Sequence, residues 1–207
     1  MLNLETTILA QALVTNGGNL IRVKFLFLLL NDMSDIRKLA EFRKRPLFYK
    51  IGNLSNDLIT EILDYVSSQA LDMNYAFSNR ENRSENQAKE QFEQFKESIK
   101  QHYGQASLSD ELKIKIQQQL NLELHNLRVG VLLPNGMLGW HIDYEIAYRI
   151  HCDLNLTSDF KFKIRDDIVN LEKQLGEVYA INTAHYHQLV NTDKQNPRLA
   201  LLGNLLE

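Results

Sequence analysis

The chain of 207 residues has one cysteine, one tryptophan and three prolines, and these scarcities exclude several classes of protein. The single cysteine, Cys152, excludes an intramolecular disulfide framework and a multi-cysteine zinc site. We therefore expect a reducing, cytoplasmic location. The sequence also lacks an uninterrupted apolar run near the roughly 20 residues that cross a bilayer, so we expect no membrane partner. A net charge of −3 gives no support to a nucleic-acid binder.

The first 32 residues lack the pattern of a secretory signal. Two apolar runs, residues 8–14 and 23–30, are separated by Asn-Gly-Gly-Asn. Met33 opens a more ordinary protein start, so we interpret residues 1–32 as an N-terminal extension from an over-extended reading frame. The alternative is a packing or peripheral helix.

The remaining length and a hydrophobic fraction of 44% predict one domain with a substantial core over residues 33–207. Residues 33–120 are predicted to form a helical support layer. One helix is expected after a cap at Asn56 or Asp57, and another from Ser107 or Ser109 to Leu120. Between them we expect an exposed loop at residues 78–90 and a helix with one apolar face, formed by Phe92, Phe95 and Ile99.

Six lysines and arginines lie between residues 37 and 50. A solvated basic surface is the simpler interpretation of this stretch. The alternative is a docking patch for an acidic partner, such as a carrier protein.

Residues 121–207 have the character of short strands joined by turns. Between Tyr148 and Leu156 apolar and polar residues alternate, which places Arg149, His151 and Asp153 on one face of a strand. Many short strands without intervening helices indicate an antiparallel sandwich or barrel. The predicted strands cover residues 46–52, 127–133, 148–156, 160–164, 176–182, 187–191 and 198–202.

The stretch Gly-Trp-His-Ile-Asp-Tyr contains two candidate metal ligands, His141 and Asp143. Residues i and i+2 of an extended strand project from the same face, so both side chains can reach one point. They would form two-thirds of a two-histidine, one-carboxylate triad, which is typical of non-heme Fe(II) oxygenases. His185 and His187 share a strand face, and periodicity alone does not choose between them as the third ligand.

Arg198 follows these histidines across a turn and is predicted to lie on the next strand. An arginine near a metal can grip the far carboxylate of 2-oxoglutarate with two parallel hydrogen bonds. Arg149 and His151 would supply a second anion-binding point. The alternative for either arginine alone is a surface salt bridge.

These residues carry a resemblance to a known family. Residues 128–204 resemble the aspartyl/asparaginyl β-hydroxylases, which are Fe(II)/2-oxoglutarate-dependent dioxygenases with a double-stranded β-helix (jelly-roll, cupin-like) fold. The matching pieces are Arg128, Leu133-Pro134, His141-x-Asp143, Arg149-Ile150-His151, Gly176-Glu177-Val178, Asn182, His187-x-x-x-Asn191 and Arg198.

The resemblance implies a role for each matching residue. His141, Asp143 and His187 would bind Fe(II), with His187 rather than His185 chosen because Asn191 follows it by four positions. Arg198 would hold the far carboxylate of 2-oxoglutarate. Arg149 and His151 would line the cosubstrate or substrate carboxylate pocket, and Arg128 would favour a substrate that carries a carboxylate.

Two departures from the family pattern concern the cosubstrate. Arg198 lies eleven residues after His187, one more than the family pattern, so the turn at residues 192–197 must absorb an insertion. Gly130 stands where the family often places a small polar residue that helps to hold the cosubstrate.

The implied activity is hydroxylation of an unactivated C–H bond in an amino-acid side chain, free, in a peptide or on a carrier, with succinate and CO2 as coproducts. The expected fold is mainly β with a helical N-terminal layer. One alternative is a cupin-like module that binds a metal or a small acid without turnover. Another is a metal-dependent hydrolase or isomerase on the same barrel.

Overall fold

A computed structural model of the chain describes residues 37–69, 103–143, 147–156 and 158–205. The expectations for residues 1–32, for the loop at 78–90 and for the helix with Phe92, Phe95 and Ile99 lie outside the described residues. The chain divides into two compact units, residues 1–44 and 45–207. The boundary predicted at residue 32 stays a prediction.

In the first unit, residues 37–42 are helical, and the amide of Arg43 donates to the carbonyl of Leu39 at 3.0 Å. In the described part of the second unit the helices are α1 (Asn56–Ser67) and α2 (Asp110–Leu120). The strands are β1 (Phe48–Asn53), β2 (Tyr103–Ser107), β3 (His125–Leu132), β4 (Met137–His141), β5 (Tyr148–Asp153), β6 (Asp159–Ile164), β7 (Asp167–Leu171), β8 (Glu177–Ile181), β9 (Tyr186–Val190) and β10 (Arg198–Leu205).

The strands form two antiparallel sheets. The major sheet has the order β1-β8-β5-β10-β3-β2, and the minor sheet has the order β4-β9-β6-β7. From β3 to β10 the chain passes back and forth between the two sheets, which is the jelly-roll or double-stranded β-helix arrangement. The predicted fold class is confirmed. The region expected to be a helical layer also contributes β1 and β2, which extend the two edges of the major sheet.

The space between the sheets contains a hydrophobic core at one end and polar clusters beside it. Two phenylalanines of β6, Phe160 and Phe162, belong to the hydrophobic core and are 5% and 0% exposed. The buried core consists of Tyr103, Leu132, Phe160, Phe162, Leu171, Ile181, Leu189, Ala200 and Leu202.

Strand β5 turns its polar face toward this interior. Arg149, His151 and Asp153 pair with β10 residues of the inner face, and Leu202 is the register partner of His151. The apolar alternate residues, which include Ile150 and Cys152, point outward and are fully buried. The predicted alternation is therefore correct, and the polar face is the inner one.

Both helices lie against the outer side of the major sheet. A Cβ at Gly52 of β1 would lie 3.2 Å from the Leu120 side chain of α2, and one at Gly176 would lie 3.0 Å from Ile59 of α1. Outward-facing sheet residues such as Val178 are buried on this side. No helix among the described residues is long and apolar enough to cross a membrane.

The helix starts correct one expectation and confirm another. The N-cap of α1 is Ser55, whose hydroxyl accepts from the amide of Leu58 at 3.3 Å, so neither Asn56 nor Asp57 is the cap. A serine side chain reaches this amide from an extended backbone, which Ser55 has. The cap of α2 is Ser109, as predicted.

Two strands were absent from the sequence-based prediction. Ser107 ends β2 instead of starting a helix, and β7 follows β6 through a turn in which Arg165 has a φ of 56°. Each strand lies at an edge of its sheet and pairs with one neighbour, so its sequence carries little of the alternation that marks a central strand.

The turn between β9 and β10 accommodates the insertion expected before Arg198. Asp193 organises it: its carboxylate accepts from the amides of Gln195 and Asn196 at 2.8 and 2.7 Å. The amide nitrogen of the buried Asn191 side chain donates to the carbonyls of Leu132, Leu133 and Asn196. The turn is therefore tied to the end of β3.

Candidate metal centre

Three potential ligands converge between β4 and β9. His141 ends β4, Asp143 follows two residues later, and His187 is the register partner of His141 on β9. One ligand atom from each residue lies within 4.8 Å of the other two. All three side chains are largely buried. The structure thus brings together the three residues that the sequence predicts as metal ligands.

Each histidine ring is oriented by the carbonyl two residues before it. Nδ1 of His141 lies 2.6 Å from the oxygen of Gly139, and Nδ1 of His187 lies 2.9 Å from the oxygen of His185. A carbonyl oxygen only accepts, so each Nδ1 carries the proton. Each Nε2 then keeps a lone pair, as a metal ligand requires.

The ring of His187 is enclosed by aromatic side chains. It stacks on Phe160 with centroids 5.6 Å apart and 3° between the planes, and it lies beside His141 at 4.1 Å. Burial and the neighbouring His141 lower the pKa of His187 to about 3, although Asp143 and the His185 carbonyl act in the opposite direction. His187 is therefore neutral at pH 7.

Asp143 is held through its backbone and its side chain. Its amide donates to the carbonyl of Thr183 at 3.0 Å, and its Oδ2 lies 3.1 Å from a terminal nitrogen of Arg149. The resemblance assigned Arg149 to an anion pocket, and the structure places it next to the carboxylate of the candidate ligand Asp143. Its role toward a cosubstrate stays a prediction.

The second polar cluster lies in the major sheet, around the fully buried Arg198. The guanidinium donates to Oδ1 of Asp153 twice, through Nε at 2.8 Å and through Nη2 in a shorter contact. Nη2 also lies 2.8 Å from Nε2 of His151. The structure therefore places His151 next to Arg198, whereas the sequence grouped His151 with Arg149, and it pairs the Arg198 guanidinium with a carboxylate of the chain itself.

Lys173 completes this cluster from the segment between β7 and β8. Its ammonium lies 2.6 Å from Oδ2 of Asp153, 3.0 Å from Nδ1 of His151 and 3.2 Å from Oγ of Ser158. The sequence analysis missed Lys173 and Ser158. The position of Asp153 on the predicted polar face of β5 was the one sequence signal that pointed to this cluster.

Burial and mutual charge shift the pKa values in this cluster. Burial lowers the pKa of Lys173 to about 8 against the opposing charge of Asp153, and burial with the nearby cations holds the pKa of His151 well below its usual range. Burial alone would raise the pKa of Asp153, but the positive charges of Arg198 and Lys173 have the larger effect, so the pKa of Asp153 is lowered. At pH 7 two cations and one carboxylate leave one positive charge beside a neutral imidazole.

Phe160 separates the two clusters and contacts both. Its ring stacks on His187 on one side, lies edge-on to His151 at 5.3 Å, and has the Lys173 ammonium 5.9 Å from its centroid. A small molecule that spans from the metal ligands to the cations would therefore pass this ring.

Two further predicted features lie on β3. Arg128 is half-buried, faces the inner side of the sheet, and donates to the carbonyl of Asn126 at 2.8 Å. Beside Gly130, the hydroxyl of Tyr103 lies 2.8 Å from where a Cβ would be, and it accepts from the side chain of Gln105 at 2.9 Å. A tyrosine hydroxyl thus occupies the space that the family fills with a small polar residue.

No protein-family model and no curated protein sequence matches the chain. Among solved structures, a prolyl hydroxylase from Trichoplax adhaerens, in complex with a peptide fragment of hypoxia inducible factor, is similar with 13% identity over 91% of this chain and 94% of that chain (TM-score 0.49). A Pseudomonas putida prolyl-4-hydroxylase is similar with 15% identity over 84% and 99% (TM-score 0.43).

A 2OG-Fe(II) oxygenase family oxidoreductase from Burkholderia pseudomallei is similar with 14% identity over 46% of this chain (TM-score 0.34). The matched region spans 50% of that protein's length. These similarities are too distant to assign the chain to a family, so the functional assignment depends on the site itself.

Proposed function

We propose that this chain is an Fe(II)/2-oxoglutarate-dependent oxygenase, similar to the aspartyl/asparaginyl β-hydroxylases, that hydroxylates an unactivated C–H bond of an amino-acid side chain. The observation that carries the proposal is the convergence of His141, Asp143 and His187 within 4.8 Å on a double-stranded β-helix.

The donor set fits Fe(II). Two imidazoles whose Nδ1 atoms face carbonyl oxygens, together with one carboxylate, would form the facial triad that leaves the other coordination positions of iron open. Both rings are held by carbonyl oxygens, which is the usual outer support for metal-binding histidines.

The second cluster fits the far carboxylate of 2-oxoglutarate. Arg198 and Lys173 supply two cations against the single carboxylate of Asp153, so the cluster attracts one further negative charge. His151 remains neutral and adds a polar ring without a competing charge.

When bound, iron and 2-oxoglutarate would supply the oxidation: O2, 2-oxoglutarate and the substrate C–H bond give succinate, CO2 and the hydroxylated product. The chain's own residues bind and orient. His141, Asp143 and His187 would hold the metal, Arg198 and Lys173 would anchor the cosubstrate, and Phe160 would exclude water between them.

The substrate is proposed to carry a carboxylate and to present an amino-acid side chain, free, in a peptide or on an acidic carrier protein. Arg128 supports this proposal because it lies on the inner side of the major sheet and brings a positive charge to the same interior. We propose a cytoplasmic location for the reaction.

The test is consumption of 2-oxoglutarate in the presence of Fe(II) and ascorbate, followed by mass spectrometry of succinate. We expect succinate that depends on Fe(II) and O2 and that disappears with His187→Ala. Absence of succinate under every condition would favour a cupin-like module that binds a metal or small acid without turnover. Full activity of Arg198→Ala would favour a metal-dependent hydrolase or isomerase.

A further inference from the structure

The carboxylate of Asp143 presents its two oxygens to different partners. Oδ1 lies 4.0 Å from Nε2 of His141, another candidate metal ligand. Oδ2 lies 3.1 Å from Nη2 of Arg149. The side chains of Arg149 and Asp143 are only 14% and 9% exposed, so water screens this ion pair little.

Arg149 is attached to a rigid part of the fold. It lies in β5, an inner strand of the major sheet, and its register partners are Asn204 on β10 and Ile181 on β8. A guanidinium fixed in this way makes a charge-assisted hydrogen bond of defined direction, which is stronger than a neutral one.

We infer that Arg149 is a positioning residue that holds Oδ2 of Asp143 and so keeps this residue a one-oxygen metal ligand. This inference rests on the proposed function. A carboxylate can bind a metal through one oxygen or through both. Binding through both would occupy a coordination position that a facial triad leaves open for cosubstrate and O2.

The assignment gives each of the three ligands a comparable support. The two histidines are oriented by the carbonyls of Gly139 and His185, and Asp143 is oriented by Arg149. It also departs from the anion-binding role that the sequence assigns to Arg149, so the two roles can be separated by experiment.

The experiment is a titration with Co(II) alone, followed by the visible absorption of the bound ion. Removal of an outer partner of a metal ligand typically weakens metal binding by about 10–100-fold, and we expect a loss of this size for Arg149→Met. Lys50→Met is the matched control, because it removes an ion-paired cation of the same sheet whose carboxylate partner, Glu177, is not a candidate metal ligand. We expect it to leave Co(II) affinity unchanged.

A double-mutant cycle distinguishes positioning from general support of the fold. If Arg149 acts through Asp143, then Arg149→Met should cause no further loss of Co(II) affinity in an Asp143→Ala background. An equal loss in both backgrounds would overturn the assignment. So would unchanged or tighter Co(II) binding by Arg149→Met, and a weaker affinity for 2-oxoglutarate at saturating Co(II) would then favour the anion-binding role.

Circular dichroism of the metal-free variants shows whether they fold. If Arg149→Met does not, Arg149→Gln keeps a hydrogen-bond donor at this position and should show a smaller loss of Co(II) affinity, while no loss would overturn the inference. A wild-type chain that folds but does not bind Co(II) would overturn the proposed metal site itself. Equal Co(II) affinities of the wild-type chain and the Arg149→Met variant would overturn only the positioning role.

Discussion

The two polar clusters inside the barrel are built in opposite ways. The metal-ligand cluster consists of His141, Asp143 and His187, and each of its histidines is oriented by a carbonyl two residues earlier in the chain. The cation cluster consists of Arg198, Lys173, Asp153 and His151. Arg198 contacts Asp153 and His151, which are 45 and 47 residues away in the sequence, and Lys173 contacts His151, which is 22 residues away. Strand register brings both clusters together, but the histidine rings of the first are oriented by nearby carbonyls, whereas the side chains of the second are oriented by one another.

The difference separates what each cluster contributes. In the metal-ligand cluster His187 is a neutral imidazole, so its loss leaves little uncompensated charge. The cation cluster contains three ionised groups with almost no exposure, and each depends on the others. We therefore expect substitutions in the first cluster to remove function and substitutions in the second to affect stability as well.

The largest expected effect is on catalysis, for His187→Ala. Loss of a ligand should weaken metal binding by more than the roughly 10–100-fold that an outer partner contributes, so succinate formation should be lost. His185→Ala is the control, because His185 supports His187 through its backbone carbonyl, which alanine retains. A more severe loss with His185→Ala than with His187→Ala would show that the wrong histidine was assigned.

Asp153→Ala should produce the largest loss of stability. It leaves Arg198 and Lys173 buried without their shared carboxylate, and breaking a buried pair in this way typically costs about 3–5 kcal/mol. Urea denaturation of the metal-free protein measures the loss. The exposed Asp159→Ala should change the free energy of unfolding little, because its ion pair with Lys161 is at the surface. Equal effects of the two variants would remove the distinction between the clusters.

Arg198→Ala should raise the apparent constant for 2-oxoglutarate. Truncating one member of a desolvated charge pair costs about 2–5 kcal/mol, which corresponds to roughly 30-fold or more. Co(II) affinity without cosubstrate should barely change, since Arg198 lies in the other cluster. Arg198→Lys should rescue the constant only in part, because an ammonium lacks the two-pronged contact. Parallel losses of metal and cosubstrate binding would assign Arg198 to the fold.

The smallest expected effect is a dependence on pH. Lys173 has a pKa of about 8, so it is charged below that pH and loses its charge above it. The affinity for 2-oxoglutarate should therefore be constant below pH 8 and should fall above it, by at most about tenfold per pH unit for one proton. Lys173→Arg should remove this fall, because arginine stays charged. An unchanged pH profile in that variant would separate Lys173 from cosubstrate binding.

The sequence predicted that His141, Asp143 and His187 lie together, but only the first two have a local spacing, and metal binding by the three stays a prediction. His141 and Asp143 are two residues apart, and the resemblance to a known family chose His187. Arg198 and His151 were also predicted, but Lys173 was not, because it lies between strands and meets Asp153 only after the sheets have formed. Long-range register does not leave a pattern in a single sequence.

The fold shows the same limit on local information. The alternation in β5 predicted a strand with two unlike faces, and hydrophobicity alone would place the apolar face inside. The polar face is inside, where Asp153 forms buried ion pairs with Lys173 and Arg198, and two helices cover the other face. Edge strands β2 and β7 carried too weak a pattern to be recognised.

The apolar outer face of the major sheet determines which fragment of the chain could be transferred to another protein and still fold. Ile150, Cys152 and Val178 point away from the barrel and are fully buried. A fragment limited to the jelly-roll strands would contain all three candidate metal ligands. It would also expose the apolar outer face of the major sheet, which favours self-association. We therefore expect a functional transfer to need α1 and α2 together with the strands, although none of the candidate site residues lies on these two helices.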